Sequence, residues 1–268
     1  MKRDAENYMD IGLSSACFYP LETEKSLIRA AKTGAKTVEI FMNSDSEFEK
    51  PFLDLLCNIK NEYGLRIPSV HTMASFTDSY YLFSSYERRW FEARETLFKR
   101  HFDVMNKMDA QILVVHGAKI PGSISDEEYF ERFAYLIEMG KKEGIRVCQE
   151  NVVHYRSESP EYLLRMARYI GDDFNMVFDI KQSIRAGFEP FSFAERLHKY
   201  IRHVHISDHS NERDCIVPFS GGTFDFKAFF DMMKGFGFSG DYILELYENG
   251  YENDSQLTAA LTELKKLL

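Results

Sequence analysis

No stretch of this chain approaches the roughly 18 consecutive apolar residues that a membrane span needs, so no membrane partner is expected. The start, MKRDAENYMD, is polar and lacks the apolar region of a signal peptide. Cysteine is scarce: Cys17, Cys57, Cys148 and Cys215 stand far apart without CxxC spacing, which points to free thiols in a reducing compartment. These absences together predict a cytoplasmic protein. Positive charge is in the minority, 33 Lys and Arg against 42 Asp and Glu, so no global basic field draws the chain to nucleic acid. No linker, low-complexity tract or composition shift marks a second domain, and no GxGxxG follows the first strand to suggest an open dinucleotide-binding sheet.

What is present is a regular alternation. Short β-rich runs occur at Asp10–Ser15, Thr37–Phe41, Arg66–His71, Gln111–His116, Ile145–Glu150, Asn175–Asp179, Ile201–Ile206 and Tyr242–Leu246. Amphipathic segments lie between and after them at Glu24–Thr33, Glu47–Tyr63, Glu87–Met108, Asp126–Glu143, Glu161–Ile170, Asp225–Phe236 and Asp254–Leu267, with a weaker one at Phe191–Tyr200. In Asp126–Glu143 the residues Tyr129, Phe133, Leu136 and Ile137 recur at helical spacing. Ser125 with Glu128 is a capping-box signature at its start, and Gly144 is a stop at its end. Eight βα units in 268 residues, close to the roughly 250 of a typical (β/α)8 barrel, predict an α/β fold. The expected architecture is a TIM barrel whose single domain occupies residues 1–268.

In such a barrel, chemistry gathers where strands end and βα loops begin. His71, His116, Glu150, Asp179, His205 and Glu245 all fall at or near those ends, on strands three to eight. Glu245 interrupts the apolar run YILELYE, where a lone acid costs several kcal/mol, by a rough estimate, unless it is paired or coordinated. Taken singly, each of these residues fits a hydrogen-bonded structural role. Gathered at one mouth they would repel or desolvate one another without a cation. Two Glu, one Asp and one His suit a divalent ion such as Mn, Zn, Co or Mg.

The most specific stretch is Val204-His205-Ile206-Ser207-Asp208, followed by Gly221-Gly222-Thr223-Phe224-Asp225-Phe226, Gly237-Phe238-Ser239-Gly240 and Ile243-Leu244-Glu245. In that order and spacing it resembles the xylose-isomerase-like TIM barrel superfamily, in its sugar phosphate isomerase/epimerase branch, a relative of endonuclease-IV-type apurinic-site nucleases. The resemblance implies that Glu150, Asp179, His205 and Glu245 are metal ligands, with Glu150 and Glu245 also the catalytic acid and base. It implies a second metal or substrate role for His71 and His116, which in the nuclease branch bind an ion sharing the Glu150 position. Gln182 and Ile216 stand where the nuclease's third metal needs histidines, while Asp214 matches its aspartate. Ser220 replaces a usual glycine.

The expected function is a metal-dependent sugar or sugar-phosphate isomerase/epimerase that transfers a proton at the carbon next to a carbonyl. The alternatives are an endonuclease-IV-like phosphodiesterase on apurinic DNA, a lyase or dehydratase of the same superfamily, and a barrel that binds a metabolite without turnover. Arg156, Gln182 and Asp214 are the substrate-binding candidates. Arg156, Lys181, Arg185 and Arg213 are placed in loops at the mouth, as solvated charge or as holders of a phosphate or hydroxyls. Glu39, mid-strand in TVEIF, reaches the pocket or pairs with a base. The aromatic stretch Phe76–Trp90 is a lid, an oligomer contact or packing over the barrel.

Overall fold

The computed structural model describes residues 9–72 and 77–268. Eight strands close into a parallel barrel in sequence order: β1 (Ile11–Ser14), β2 (Val38–Phe41), β3 (Ser69–His71), β4 (Ile112–Val115), β5 (Arg146–Glu150), β6 (Met176–Asp179), β7 (Ile201–Ile206) and β8 (Tyr242–Leu244). Closure is made by β8 against β1, with Ile11 opposite Tyr242 and Leu13 opposite Leu244. Gly12 sits at this seam because a Cβ there would come within 2.6 Å of the Ile243 side chain and 2.7 Å of the Thr37 carbonyl.

The outer layer contains α1 (Thr23–Lys32), α2 (Lys50–Tyr63), α3 (Glu87–Glu92), α4 (Phe98–Met108), α5 (Asp126–Glu143), α6 (Pro160–Ile170), α7 (Ile180–Arg185), α8 (Pro190–Leu197), α9 (Phe226–Gly235) and α10 (Asp254–Lys265). Local chemistry sets their ends. Ser125 accepts from the Glu128 N–H to open α5, and Gly144 closes it in the left-handed region at φ 74°. The Glu128 carboxylate turns to Arg132 instead of back to the cap. Ser159 and Asn253 cap α6 and α10 in the same way. The segment expected as one helix over Glu87–Met108 is α3 and α4 joined by a π-helical turn, Ala93–Leu97. Helix α7 was not anticipated.

Strand residues alternate between two cores. Outward-facing Val38, Ile40, Val70, Val204 and Leu244 pack under the helices, where each fully buried aliphatic side chain contributes roughly 1.5–3 kcal/mol. Inward-facing Ile112, Val114, Cys148 and Val177 form a separate apolar plug inside the barrel. Above that plug, towards the strand C-termini, the interior becomes polar. Below it, at the opposite end, a cavity of about 560 Å³ is lined by Arg66, Arg146, Arg202 and Asp241.

In the aromatic stretch after β3, Phe76 lies outside the described residues, but Phe83 is buried and stacks on Tyr129 at 4.1 Å. The buried carboxylate of Asp78 accepts from the backbone N–H groups of His116 and Gly117 at 2.8 and 3.2 Å, tying this segment to the end of β4. It thus packs over the barrel, while Tyr80 and Tyr86 remain exposed. All four cysteines are free thiols. Among the described residues no helix is long and apolar enough to cross a membrane.

Candidate active site

Strand order and register bring Glu150, Asp179, His205 and Glu245 together. Asp179 stands opposite His205 across β6 and β7, and Glu245 follows directly on β8. One donor atom from each of the four lies within 4.8 Å of all the others. Glu150, Asp179 and His205 are each 1% exposed and Glu245 8%. The His205 Nδ1 is 3.0 Å from Glu150 Oε1, 3.5 Å from Glu245 Oε2 and 3.9 Å from Asp179 Oδ2.

Each of these side chains is aimed by a neighbour. Asn151 receives the Asp179 N–H on its side-chain oxygen at 2.8 Å and donates to the Asp179 carbonyl at 2.9 Å, locking β5 to β6. Asp179 Oδ1 accepts from the Gln182 N–H at 2.9 Å and so caps α7. His205 Nε2 points away from the cluster to Glu39, 3.2 Å distant, and the Glu39 Oε2 also faces His203 Nε2 at 3.2 Å and accepts from Ser69 Oγ at 2.8 Å. A carboxylate can only accept, so Glu39 keeps a proton on His205 Nε2, and Nδ1, which faces Glu150 Oε1 at 3.0 Å, is the nitrogen that would give up its proton to a ligand.

A second group shares Glu150. His116 Nε2 lies 3.0 Å and His71 Nε2 3.4 Å from Glu150 Oε2. His71 Nδ1 faces the Thr72 carbonyl at 3.1 Å, which fixes the ring with Nε2 towards the carboxylate. One carboxylate therefore serves two clusters, one oxygen to each.

Electrostatics bind the set together. Burial raises the Glu150 carboxyl, but the His116 imidazole and hydrogen bonds from three histidines outweigh it and hold the group well below the usual carboxylate range. Burial also dominates at Asp179, where Lys181 only partly offsets it and the Glu150 and Glu245 charges add to it, pushing the group up to about 7. His205 moves the other way: burial lowers it, but Glu39, Glu245 and Glu150 raise it well above an ordinary histidine. His71 is likewise carried up to about 8, its burial outweighed by Glu150.

The other candidates fall elsewhere. The Arg156 guanidinium is committed to the protein: it donates to the Ser125 carbonyl at 2.9 Å and to Asp126 at 3.1 Å, and packs against Gly122. It braces the start of α5 and is not a free cation at the mouth. Asp214 is half-exposed and pairs with Arg185 Nε at 3.0 Å. Gln182 is nearly buried, and its side-chain oxygen accepts from the Val153 N–H at 3.2 Å. Ile216 is buried and bridges to Asp208 through the backbone.

Lys181 departs furthest from its reading as a loop charge. It lies on α7, is 2% exposed, and places Nζ 3.1 Å from Glu245 Oε2 and 3.3 Å from Asp179 Oδ2. His203 went unnoticed in the sequence. The signal was the HVH spacing, since residues two apart on a strand share a face and His203 must point inward with His205.

The donor set suits a divalent ion. Three carboxylates and one imidazole converge, and the buried Asp179 Oδ2 has no hydrogen-bond partner. The group His71, His116 and Glu150 offers a second such set.

The model of the xylose isomerase-like TIM barrel family matches residues 27–267. Among curated proteins, an uncharacterized protein of Methanocaldococcus jannaschii is 25% identical over 262 residues, 92% of each chain. Among solved structures, a D-tagatose 3-epimerase-like protein superposes with a TM-score of 0.79 at 22% identity, over 97% of this chain and 98% of that one. A D-allulose 3-epimerase from Methylomonas sp., in complex with D-allulose, gives 0.76 at 17% identity, over 97% and 96%. At those identities the structures testify to the fold. With the family model spanning all but the first strand, and acid and imidazole side chains meeting at the C-terminal mouth of the barrel, the chain belongs to the xylose isomerase-like TIM barrel family.

Proposed function

We propose that this chain is a divalent-metal-dependent isomerase or epimerase of a sugar or sugar phosphate. The observation that carries the reading is the convergence of Glu150, Asp179, His205 and Glu245 within 4.8 Å at the ends of β5 to β8. Mn, Zn, Co and Mg all accept such a donor set. The epimerases that share the fold support the substrate class, one of them having been solved with D-allulose.

In this reading Asp179 and His205 hold the ion, and Glu150 and Glu245 both ligate it and exchange a proton with the substrate. An ion held there supplies Lewis-acid stabilisation of negative charge developing on a substrate oxygen. Glu150 ends β5 and Glu245 follows β8, three strands apart in the ring of eight, a separation that would let the two carboxylates serve opposite faces of a substrate. One removes the proton from the carbon next to the carbonyl. The other returns a proton, on the opposite face for epimerisation or to the neighbouring carbon for isomerisation. Burial keeps competing water away from the carbanionic centre.

The test is exchange of substrate hydrogen with deuterated solvent across a panel of ketoses and their phosphates, with Mn2+ or Co2+ supplied. Glu245→Gln retains the side chain's shape but removes its basicity. Exchange should fall at least about 10²-fold, the range of a lost general base. Undiminished exchange in that variant refutes the role of Glu245.

One observation favours a second reading. His71 and His116 gather on Glu150 in a group that could hold a second ion, as the resemblance to the apurinic-site nucleases implies. Cleavage of abasic duplex DNA with more than one bound ion per chain would decide for a phosphodiesterase. Gln182 and Ile216 weigh against it, since both are engaged in the protein's own packing and Ile216 offers no donor.

A further inference from the structure

The ammonium of Lys181 occupies an unusual place for a lysine. Asp179 caps α7 through Oδ1, which fixes the backbone at Ile180 and Lys181 and sends the lysine side chain inward instead of to water. Its Nζ then sits 3.1 Å from Glu245 Oε2 and 3.3 Å from Asp179 Oδ2. Those two oxygens are also the ones that face His205 Nδ1, at 3.5 and 3.9 Å. Among the described residues Asp179 Oδ2 has no hydrogen-bond partner, and Lys181 is nearer to it than the His205 imidazole. The ammonium and a divalent ion would draw on the same atoms. Beyond Nζ the ring of Tyr247 lies 4.8 Å away, partly exposed, with its hydroxyl held by Arg185 at 2.6 Å.

We infer that Lys181 is a built-in counter-cation that exchanges with the metal: it holds Asp179 and Glu245 in the metal-free chain and withdraws along the Tyr247 ring towards the mouth when the ion enters. This rests on the reading that Asp179 and Glu245 are ligands. The physical reason is charge. Ion–oxygen bonds of roughly 2.0–2.2 Å would place the ion close beside an ammonium that kept its present contacts, and two cations at that separation in a buried site repel strongly. The Tyr247 face offers the displaced ammonium a favourable seat on the way out. Without the lysine, the metal-free site would hold crowded carboxylates with one cation fewer, so Lys181 makes the empty barrel mouth tolerable at the expense of metal affinity.

Two measurements on the full chain test this. The first is calorimetric titration of the chelator-treated protein with Mn2+, comparing wild type with Lys181→Met, which keeps the stem and removes the charge. The variant should bind Mn2+ at least about tenfold more tightly, a change of about 1.4 kcal/mol, and its metal-free form should melt lower than wild type. The second needs no variant: acetylation of wild-type lysines by an amine-reactive ester, read by mass spectrometry. Lys181 should be protected in chelator and become labelled when Mn2+ saturates the site. Wild-type binding with equal or weaker binding by Lys181→Met overturns the exchange and leaves the proposed function standing, as does Lys181 labelling that stays flat on loading. If neither protein binds Mn2+, Co2+, Zn2+ or Mg2+, the metal reading falls and takes the exchange with it.

Discussion

Glu39 touches no substrate in the proposed chemistry, yet its replacement by glutamine should be felt in both stability and metal affinity. The residue is fully buried, and its carboxylate receives Ser69 Oγ at 2.8 Å and faces the Nε2 atoms of His203 and His205, each at 3.2 Å. Although burial pushes its carboxyl up, the two histidines outweigh that and hold it well below the usual carboxylate range. Glu39→Gln converts charge-assisted hydrogen bonds to neutral ones and offers one oxygen in place of two. At about 1 kcal/mol lost per bond, less the relief of no longer burying a charge, the metal-free protein should lose about 2 kcal/mol. The second effect is on His205: without a carboxylate to hold a proton on Nε2, the ring that has given up one proton to bind an ion no longer favours keeping the other on Nε2 over Nδ1, the atom that faces Glu150 and Glu245. Substitutions of this kind typically cost about 10–100-fold in metal affinity, or about 1.4–2.7 kcal/mol. Urea denaturation in chelator reads the first effect and Mn2+ titration the second. A Glu39→Gln protein that binds Mn2+ within about twofold of wild type, while His205→Ala binds none, would refute the orienting role.

Two further perturbations probe the scaffold. Gly222 has the Asp208 carboxylate where a Cβ would lie, and that carboxylate accepts from the His209 and Phe224 N–H groups at 2.8 and 3.0 Å. Gly222→Ala should therefore dislodge the loop after β7 and destabilise by about 2–3 kcal/mol in denaturant titration, whereas Gly221→Ala meets no atom and is strained only by its φ of 91°. His101 is buried between Phe48 and Phe98 with Nδ1 2.8 Å from the Leu97 carbonyl, and burial lowers it to about 4. Between that value and the ordinary 6.5 the unfolded chain takes up a proton that the folded chain refuses. Stability should thus fall as pH drops from 6.5 to 4, by up to about 3 kcal/mol from this residue. The fall should be shallower in His101→Gln; parallel profiles would remove His101 as its source.

Much of this was legible in the chain. Strand β7 was expected at Ile201–Ile206 and α5 at Asp126–Glu143, both as observed, because a β-rich run buried on both faces and a capped amphipathic helix each carry a strong local signal. Strand β3, expected from Arg66 and formed from Ser69, is shorter than expected at its N-terminal end, where Arg66 keeps only an isolated bridge to Thr37. Helix α7 is hard to read because its six residues, Ile180–Arg185, offer a single apolar pair at helical spacing, Ile180 and Ile184, and its cap, Asp179, equally fits a metal ligand. Charge misled for a related reason. Lys181 and Arg156 look alike in sequence, but one is turned inward onto acids and the other is spent on backbone carbonyls of the loop before α5. Burial of a charge depends on partners from distant strands, and no local window contains them. Glu39, which in the sequence fits either the pocket or a base, is the partner of two imidazoles, those of His203 and His205.

Asp179 divides its two oxygens between tasks: Oδ1 ends a strand and begins a helix, and Oδ2 faces the cluster. Its side chain cannot rotate to improve either contact without giving up the other. The direction in which Oδ2 is presented is thereby set when the backbone folds, and little rotamer freedom is left to lose when a ligand arrives. The same bond limits what the position can hold. A glutamate would carry its carboxylate one methylene beyond the cap, and an alanine would remove the cap and the cluster oxygen in one step, so the turn from β6 into α7 and the presentation of Oδ2 depend on the same residue.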